Sequence, residues 1–154
     1  MMLDVGDTIP DFDLPTNGGN SLSRKDLRGK TVVMYFYPKD MTPGCTTEAQ
    51  EFRDHIKAFV KAGATIVGVS KDSIKRHDNF VAKQELPFQL LSDEDGTLCE
   101  DFGVWLEKSM YGKKYMGIQR ATFVIDGKGK ILHVWPKVKV KGHVEEVLGV
   151  VQAL

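Results

Sequence analysis

Cys45 is the residue with the clearest chemical potential. It follows an apolar run and a short polar loop and stands where a helix should begin. The first turn of a helix has unpaired N–H groups and a partial positive charge, and both favour a thiolate over a thiol. The thiolate is the nucleophilic form of cysteine, so this is a place for a reactive sulfur. Thr42, three residues earlier, can turn its hydroxyl toward the sulfur, donating to it and accepting from a bound ligand. Pro43 and Gly44 shape the turn without offering competing side chains, and Pro38 can shield the site from water. Glu48, one helical turn beyond Cys45, can orient an arginine. The alternative is that Cys45 is a small buried hydrophobe, as many cysteines are. The polar flanks Lys39, Asp40, Thr42 and Thr46 argue instead for partial exposure.

The elements that must hold this site can be read from periodicity. Thr31 to Tyr37 is apolar on both alternating faces, which fits a central strand covered on both sides. A helix should run from about Cys45 to Ala62, with Ala49, Phe52, Ile56 and Phe59 on one face and Gly63 as its stop. Ala64 to Ser70 reads as a second buried strand. Asp72 or Ser73 can cap the next helix, which carries Ile74, Phe80 and Val81. A short strand follows at Phe88 to Leu91, then a short helix with Leu98 and Phe102. Ala121 to Asp126 and Lys130 to Trp135 flank Gly127-Lys128-Gly129, a hairpin signal. The last helix starts near Gly142 and carries Val144, Val147, Leu148 and Val151. Before all of these, a short strand at Phe12 to Leu14 precedes a helical turn that Ser23 can cap. The order implies parallel strands first and antiparallel ones later, in an α/β fold with a mixed central sheet flanked by helices. A thioredoxin-like fold satisfies it, as one domain over residues 1–154.

Composition removes several classes. The chain has 154 residues with 21 Lys+Arg against 21 Asp+Glu, so nothing electrostatic points to nucleic acid. No apolar run is long enough to span a bilayer, and residues 1–7 show no basic segment leading into an apolar stretch. A cytoplasmic, reducing compartment is the simplest expectation. Two cysteines are too few for a disulfide framework. The absence of Cys-x-x-Cys disfavours a disulfide reductase. His55, His77, His133 and His143 are scattered and show no zinc spacing, so no metal or other cofactor is expected. A Cys–His hydrolase would need one of them beside Cys45, and no hydrolase signature surrounds it. Lys108, Lys113 and Lys114 read as a basic, solvated loop around Tyr111 that can attract an acidic reductant protein or an anionic substrate. Trp105 and Trp135 read as core or rim packing.

The segment Tyr35-Phe36-Tyr37-Pro38-Lys39-Asp40-Met41-Thr42-Pro43-Gly44-Cys45-Thr46 resembles the active-site segment of peroxiredoxins, whose pattern of Pro, three residues, Thr, two residues, Cys is met by Pro38, Thr42 and Cys45. The wording around it is most similar to the bacterioferritin comigratory protein group, or Q-type peroxiredoxins. The resemblance extends to Leu91-Ser92-Asp93, Phe102-Gly103-Val104-Trp105, Tyr111-Gly112-Lys113 and Gly117-Ile118-Gln119-Arg120 followed by Thr122-Phe123. It implies a thioredoxin-like fold, peroxidase activity on hydrogen peroxide and organic hydroperoxides, and a role for Arg120 as the active-site arginine. A positive group there would favour the thiolate and stabilise charge developing on peroxide oxygens. The cysteine would become a sulfenic acid.

The resemblance breaks at the resolving cysteine. One familiar position for it holds Gln50, and the other, in His77 to Val81, holds Val81. A one-cysteine cycle with an external thiol is therefore the leading expectation, with Cys99 read as structural. The alternatives are a two-cysteine cycle in which Cys99 resolves the sulfenic acid, and a peroxide-sensing thiol protein. The resemblance implies a monomer recycled by thioredoxin; the missing resolver makes glutaredoxin or glutathione an equal candidate.

Overall fold

The computed structural model describes residues 1–154. In chain order the strands are Asp13–Thr16 (β1), Asn20–Ser23 (β2), Thr31–Phe36 (β3), Ala64–Ser70 (β4), Gln89–Ser92 (β5), Trp105–Met110 (β6), Lys113–Ile118 (β7), Ala121–Ile125 (β8) and Ile131–Trp135 (β9). The α-helices are Pro43–Asp54 (α1), Ile56–Lys61 (α2), Ile74–Gln84 (α3), Thr97–Phe102 (α4) and His143–Gln152 (α5). A 3-10 turn at Arg24–Leu27 is held by Ser23 and Asp26 in a capping box. No helix is long and apolar enough to cross a membrane.

Seven strands form one sheet in the order β2-β1-β5-β4-β3-β8-β9. The pairs β3–β4 and β4–β5 are parallel, because helices carry the chain back across the sheet between them. The pairs β3–β8 and β8–β9 are antiparallel. This is the mixed sheet that the thioredoxin-like expectation requires.

Strand parity divides the core. In β3, Val32, Met34 and Phe36 enter one buried cluster, while Val33 and Tyr35, with Tyr37 just beyond, enter the other. Successive strand side chains point to opposite faces, so the two clusters lie on opposite sides of the sheet. Residues of α1, α2, α3 and α5 fill the second cluster, and α4 with the N-terminal segment fills the first. Cys45 belongs to the second and Cys99 to the first.

Three sequence expectations need correction. The helix expected from Cys45 to Ala62 is two helices, and it starts at Pro43. Pro at the first helical position has its φ already set for a helix. The break falls at His55, whose Nδ1 lies 2.8 Å from the Glu51 carbonyl and competes with the helical ladder. Second, the early chain holds two paired strands, β1 and β2, where one was read. Third, the basic loop around Tyr111 is a hairpin, β6–β7, with its own two-stranded sheet. Tyr111 and Gly112 both have positive φ, 51° and 78°, as a two-residue primed turn demands. Apart from Trp105 and Ile118 at its base, its strands are largely exposed, so no buried alternation marks them.

The loop between β3 and α1 is fixed from below by a buried network. Tyr37 donates its hydroxyl hydrogen to Asp40 Oδ1 at 2.6 Å, and His77 Nδ1 lies 2.6 Å from Asp40 Oδ2. His77 Nε2 lies 2.9 Å from the Leu91 carbonyl, which only accepts, so Nε2 carries a hydrogen. Asp72 takes the Asp40 N–H, the Ser70 hydroxyl and Arg76 Nε. Ser73, and not Asp72, caps α3 by accepting from Arg76 N. The network pins the loop that leads into Cys45 to β5 and α3. His77→Ala leaves the buried Asp40 Oδ2 without its partner and should cost about 3 kcal/mol in urea denaturation. A loss no larger than that of a surface substitution would contradict the anchoring.

Candidate active site

Thr42 is the N-cap of α1, in extended conformation, and Cys45 lies in the first turn. The first backbone bond into the helix is Thr46 N–H to the Thr42 carbonyl at 2.9 Å. The N–H groups of Gly44 and Cys45 precede it, so the helix ladder leaves them available to an anion.

Arg120 follows β7 by two residues and reaches this helix start. Its Nη2 donates to Cys45 Sγ at 3.3 Å, and its Nη1 donates to Glu48 Oε1 at 2.7 Å. One guanidinium thus serves two groups a helical turn apart on α1. Gly44 makes room for it: a Cβ there would lie 3.2 Å from Arg120 Nη2. Thr42 Oγ1 donates to the Lys39 carbonyl at 2.8 Å. Its hydrogen is therefore used in the loop and not on the sulfur, and its lone pairs remain to accept. Pro38 is exposed and lines a cavity of about 340 Å³ together with Lys39, Trp105 and Lys108.

Cys45 is only 1% exposed. The polar flanks suggested otherwise, but Cys45, Ala49 and Phe52 share the face of α1 that packs on the sheet. Of the charged flanks, Lys39 is exposed on the loop, while Asp40 is itself buried in the network beneath it.

Burial also governs Glu48. It is fully buried, and removal from water drives its carboxyl up to about 7 despite the opposing pull of Arg120. Burial works against the Arg120 charge, yet Glu48 and Cys45 beside it hold its pKa above the ordinary value. Glu48 Oε2 and the Tyr35 hydroxyl are buried without hydrogen-bond partners. Tyr35 stacks on Phe52 at 4.6 Å between ring centres and floors the site from β3.

The remaining candidates lie apart. Cys99 is buried on the opposite side of the sheet. Burial pushes its thiol well up, and Asp93, which accepts the Cys99 backbone N–H at 2.8 Å, pushes it further. Gln50 donates to Gln84 Oε1 at 2.8 Å, bracing α1 against α3, and Val81 packs on the same side of the core. Every histidine is engaged elsewhere: His55 on Glu51, His77 on Asp40, His143 on Thr122, and His133 packed at a tilt against Trp135. Asp40, Asp72 and His77 converge closely enough to hold a cation, but their ligand atoms are taken up by the network described above. Two contributors were not read from sequence, Asp40–His77 and Tyr35. His77 could have been found, since it sits three residues from both Ile74 and Phe80 on the apolar face of α3.

A cysteine in the first turn of a helix, under an arginine and on a thioredoxin-like sheet, defines a thiol enzyme class without a paired second cysteine. Residues 5–134 match the AhpC/TSA family. A putative peroxiredoxin Bcp of Coxiella burnetii is 56% identical over 97% of this chain and 99% of its own. Peroxiredoxin Bcp of Bacillus subtilis is 49% identical over 96% and 94%. Among solved structures, a Xanthomonas campestris bacterioferritin comigratory protein, studied for its alkyl peroxide reduction activity, superposes with a TM-score of 0.88 at 48% identity, over 92% and 90% of the two chains. A Xylella fastidiosa PrxQ variant superposes with a TM-score of 0.94 at 42% identity, over 99% and 98%. The chain belongs to the AhpC/TSA family, and its relatives are peroxiredoxins of the Bcp, or Q, type.

The Glu48 carboxyl makes stability depend on pH. Its folded value, about 7, lies above the ordinary 4.5, so the unfolded chain ionises first as pH rises. Stability is therefore fully present below about 4.5 and is lost as pH rises through about 7, by roughly 3 kcal/mol in all. Glu48→Gln removes this slope. Denaturation of both proteins between pH 4 and pH 8 should give curves that diverge; parallel curves would contradict the assignment.

Proposed function

We propose that the chain is a thiol-dependent peroxidase that reduces hydrogen peroxide and organic hydroperoxides through a one-cysteine cycle at Cys45. The observation that carries this is Arg120 bridging Cys45 Sγ and Glu48 at the start of α1. The Cys45 thiolate attacks one peroxide oxygen in line. An S–O bond forms, the O–O bond breaks, and the departing oxygen takes up a proton and leaves as water or an alcohol. Cys45 becomes a sulfenic acid. Arg120 and the N–H groups of Gly44 and Cys45 hold the peroxide and steady the charge on the leaving oxygen. Thr42 accepts the peroxide hydrogen with its free lone pairs. Glu48 holds Arg120 in place, Gly44 gives it room, and Pro38 borders the entrance.

The return step needs a thiol from outside. Gln50 and Val81 stand at the resolving positions, and Cys99 is buried across the sheet with its thiol held protonated. A thiol of thioredoxin, or of glutaredoxin or glutathione, would attack the sulfenic sulfur, expel water and form a mixed disulfide that a second thiol releases. Such a cycle suits a reducing, cytoplasmic compartment. A monomer suffices, since Cys45, Thr42, Glu48 and Arg120 all come from one chain.

Steady-state peroxide consumption with dithiothreitol tests the cycle. Cys45→Ser should abolish turnover, and Cys99→Ala should retain it. Turnover by Cys45→Ser near that of the unaltered protein would sink the assignment. Loss of turnover in a folded Cys99→Ala protein would make Cys99 the resolver.

A further inference from the structure

We propose that the β6–β7 hairpin is the docking surface for an acidic-faced dithiol protein that regenerates Cys45. This rests on the peroxidase reading above, and it adds where the reductant binds and what its surface must be.

The hairpin has no structural task that accounts for its surface. It stands outside the seven-stranded sheet and pairs only with itself. Five of the chain's ten exposed large hydrophobic side chains lie on it: Leu106, Met110, Tyr111, Tyr115 and Met116. That concentration in residues 105–118 is unlike the scattered apolar exposure normal to a protein surface. Tyr111, at the tip, is 99% exposed. Tyr and Met are suited to contact surfaces, being large, apolar and adaptable.

The pairing register puts Lys108 and Lys113 on one face with Leu106, Met110 and Tyr115, and Lys114 on the other with Met116 and Glu107, so the hairpin is basic on balance. Lys39 and Lys71 line the same cavity as Lys108, with Lys71 Nζ 4.1 Å from the centre of the Trp105 ring. The hairpin's one carboxylate, Glu107, lies 3.7 Å from Lys114. The chain as a whole balances at 21 and 21 charges, so this basic field is local. An acidic partner is steered toward such a surface. A second copy of the chain is not, because a two-fold contact through this face would oppose lysines to lysines.

The surface also adjoins the loop that leads into Cys45. Pro38 and Lys39, from the loop before Cys45, line the cavity together with Trp105, Lys108 and Ile118 of the hairpin. Lys108 Nζ donates to the Ile118 carbonyl at 3.1 Å, two residues before Arg120. Partial burial lowers the Lys108 pKa, and the neighbouring Arg120 lowers it further, as expected of a cation close to the site. A partner seated on the hairpin would hold its thiol at the mouth of the site. That thiol attacks the Cys45 sulfenic sulfur, water leaves, and a mixed disulfide forms. The partner's second thiol then attacks its own sulfur in that disulfide, releasing the Cys45 thiol and leaving the partner oxidised.

The test compares two reductants on the full chain. Thioredoxin is the protein probe, with glutaredoxin plus glutathione as the second, and dithiothreitol is the small-molecule control. Lys113→Glu/Lys114→Glu reverses the charge, and Tyr111→Asn removes the apolar tip while keeping a residue suited to the primed turn. Dithiothreitol-supported turnover should be unchanged in both variants. The KM for the protein reductant should rise about tenfold in the charge variant, and its dependence on salt should weaken. An unchanged KM in both variants would overturn the proposal, as would failure of both protein probes to support turnover of the unaltered chain that dithiothreitol sustains. Absence of dithiothreitol-supported turnover in the unaltered chain would instead overturn the peroxidase reading itself. A hairpin-dependent dimer in light scattering would assign the surface to a second copy and overturn the acidic partner.

Discussion

The guanidinium of Arg120 has to satisfy a buried carboxylate and a buried sulfur at the same time, and much of the local structure exists to let it. Glu48 Oε1 and Cys45 Sγ accept from its two terminal nitrogens at 2.7 Å and 3.3 Å. Both acceptors sit on one face of α1, so the helix fixes their separation. Gly44 leaves the space that a Cβ would fill. The arginine itself enters from the far end of the chain, where β8 pairs with β3 and brings Ala121 opposite Phe36. The strand that launches the loop before Cys45 is therefore the strand that positions the arginine above it. The energetic balance is close, since burial lifts the Glu48 carboxyl to about 7 against the opposing pull of Arg120. A charge placed where it must be desolvated in this way is typical of functional sites and poor evidence of stabilisation.

Strand parity carries the second consequence. Alternation along β3 sends Tyr35 and Tyr37 to the side of Cys45, and Met34 and Phe36 to the side of Cys99. The two sulfurs are thus separated by the sheet, and joining them within one folded chain would require the core to open. The helix that bears Cys45 is braced as well. Gln50 reaches Gln84, and Arg53 Nη1 donates to the Gln84 carbonyl at 2.8 Å. The one-cysteine cycle proposed above asks for no movement of that helix, which is tied to α3.

Most of the site was legible in the residues. The buried strand, the loop, and Cys45 at a helix start follow from periodicity and from Pro43 and Gly44. Arg120 did not follow from periodicity, because a single arginine before a strand reads as a solvated charge; the resemblance of Gly117 to Phe123 supplied it. Three matters lay beyond a local reading. The exposure of Cys45 was misjudged because its sequence neighbours are polar while its helix face is apolar. The β6–β7 hairpin is not legible from periodicity because only its base, at Trp105 and Ile118, meets the core, so the usual alternation is absent. The Asp40–His77 anchor joins residues 37 positions apart, a contact that only the packing of α3 under the loop creates.

The most direct test is the intact mass of the fully reduced protein after one equivalent of hydrogen peroxide, recorded without reductant. The account predicts a gain of one oxygen, trapped at Cys45 by a sulfenic-acid reagent. Loss of two hydrogens from the monomer would show that Cys99 reaches the sulfenic acid and would contradict both the one-cysteine cycle and the separation of the two sulfurs by the sheet; a dimer linked through Cys99 would contradict the cycle.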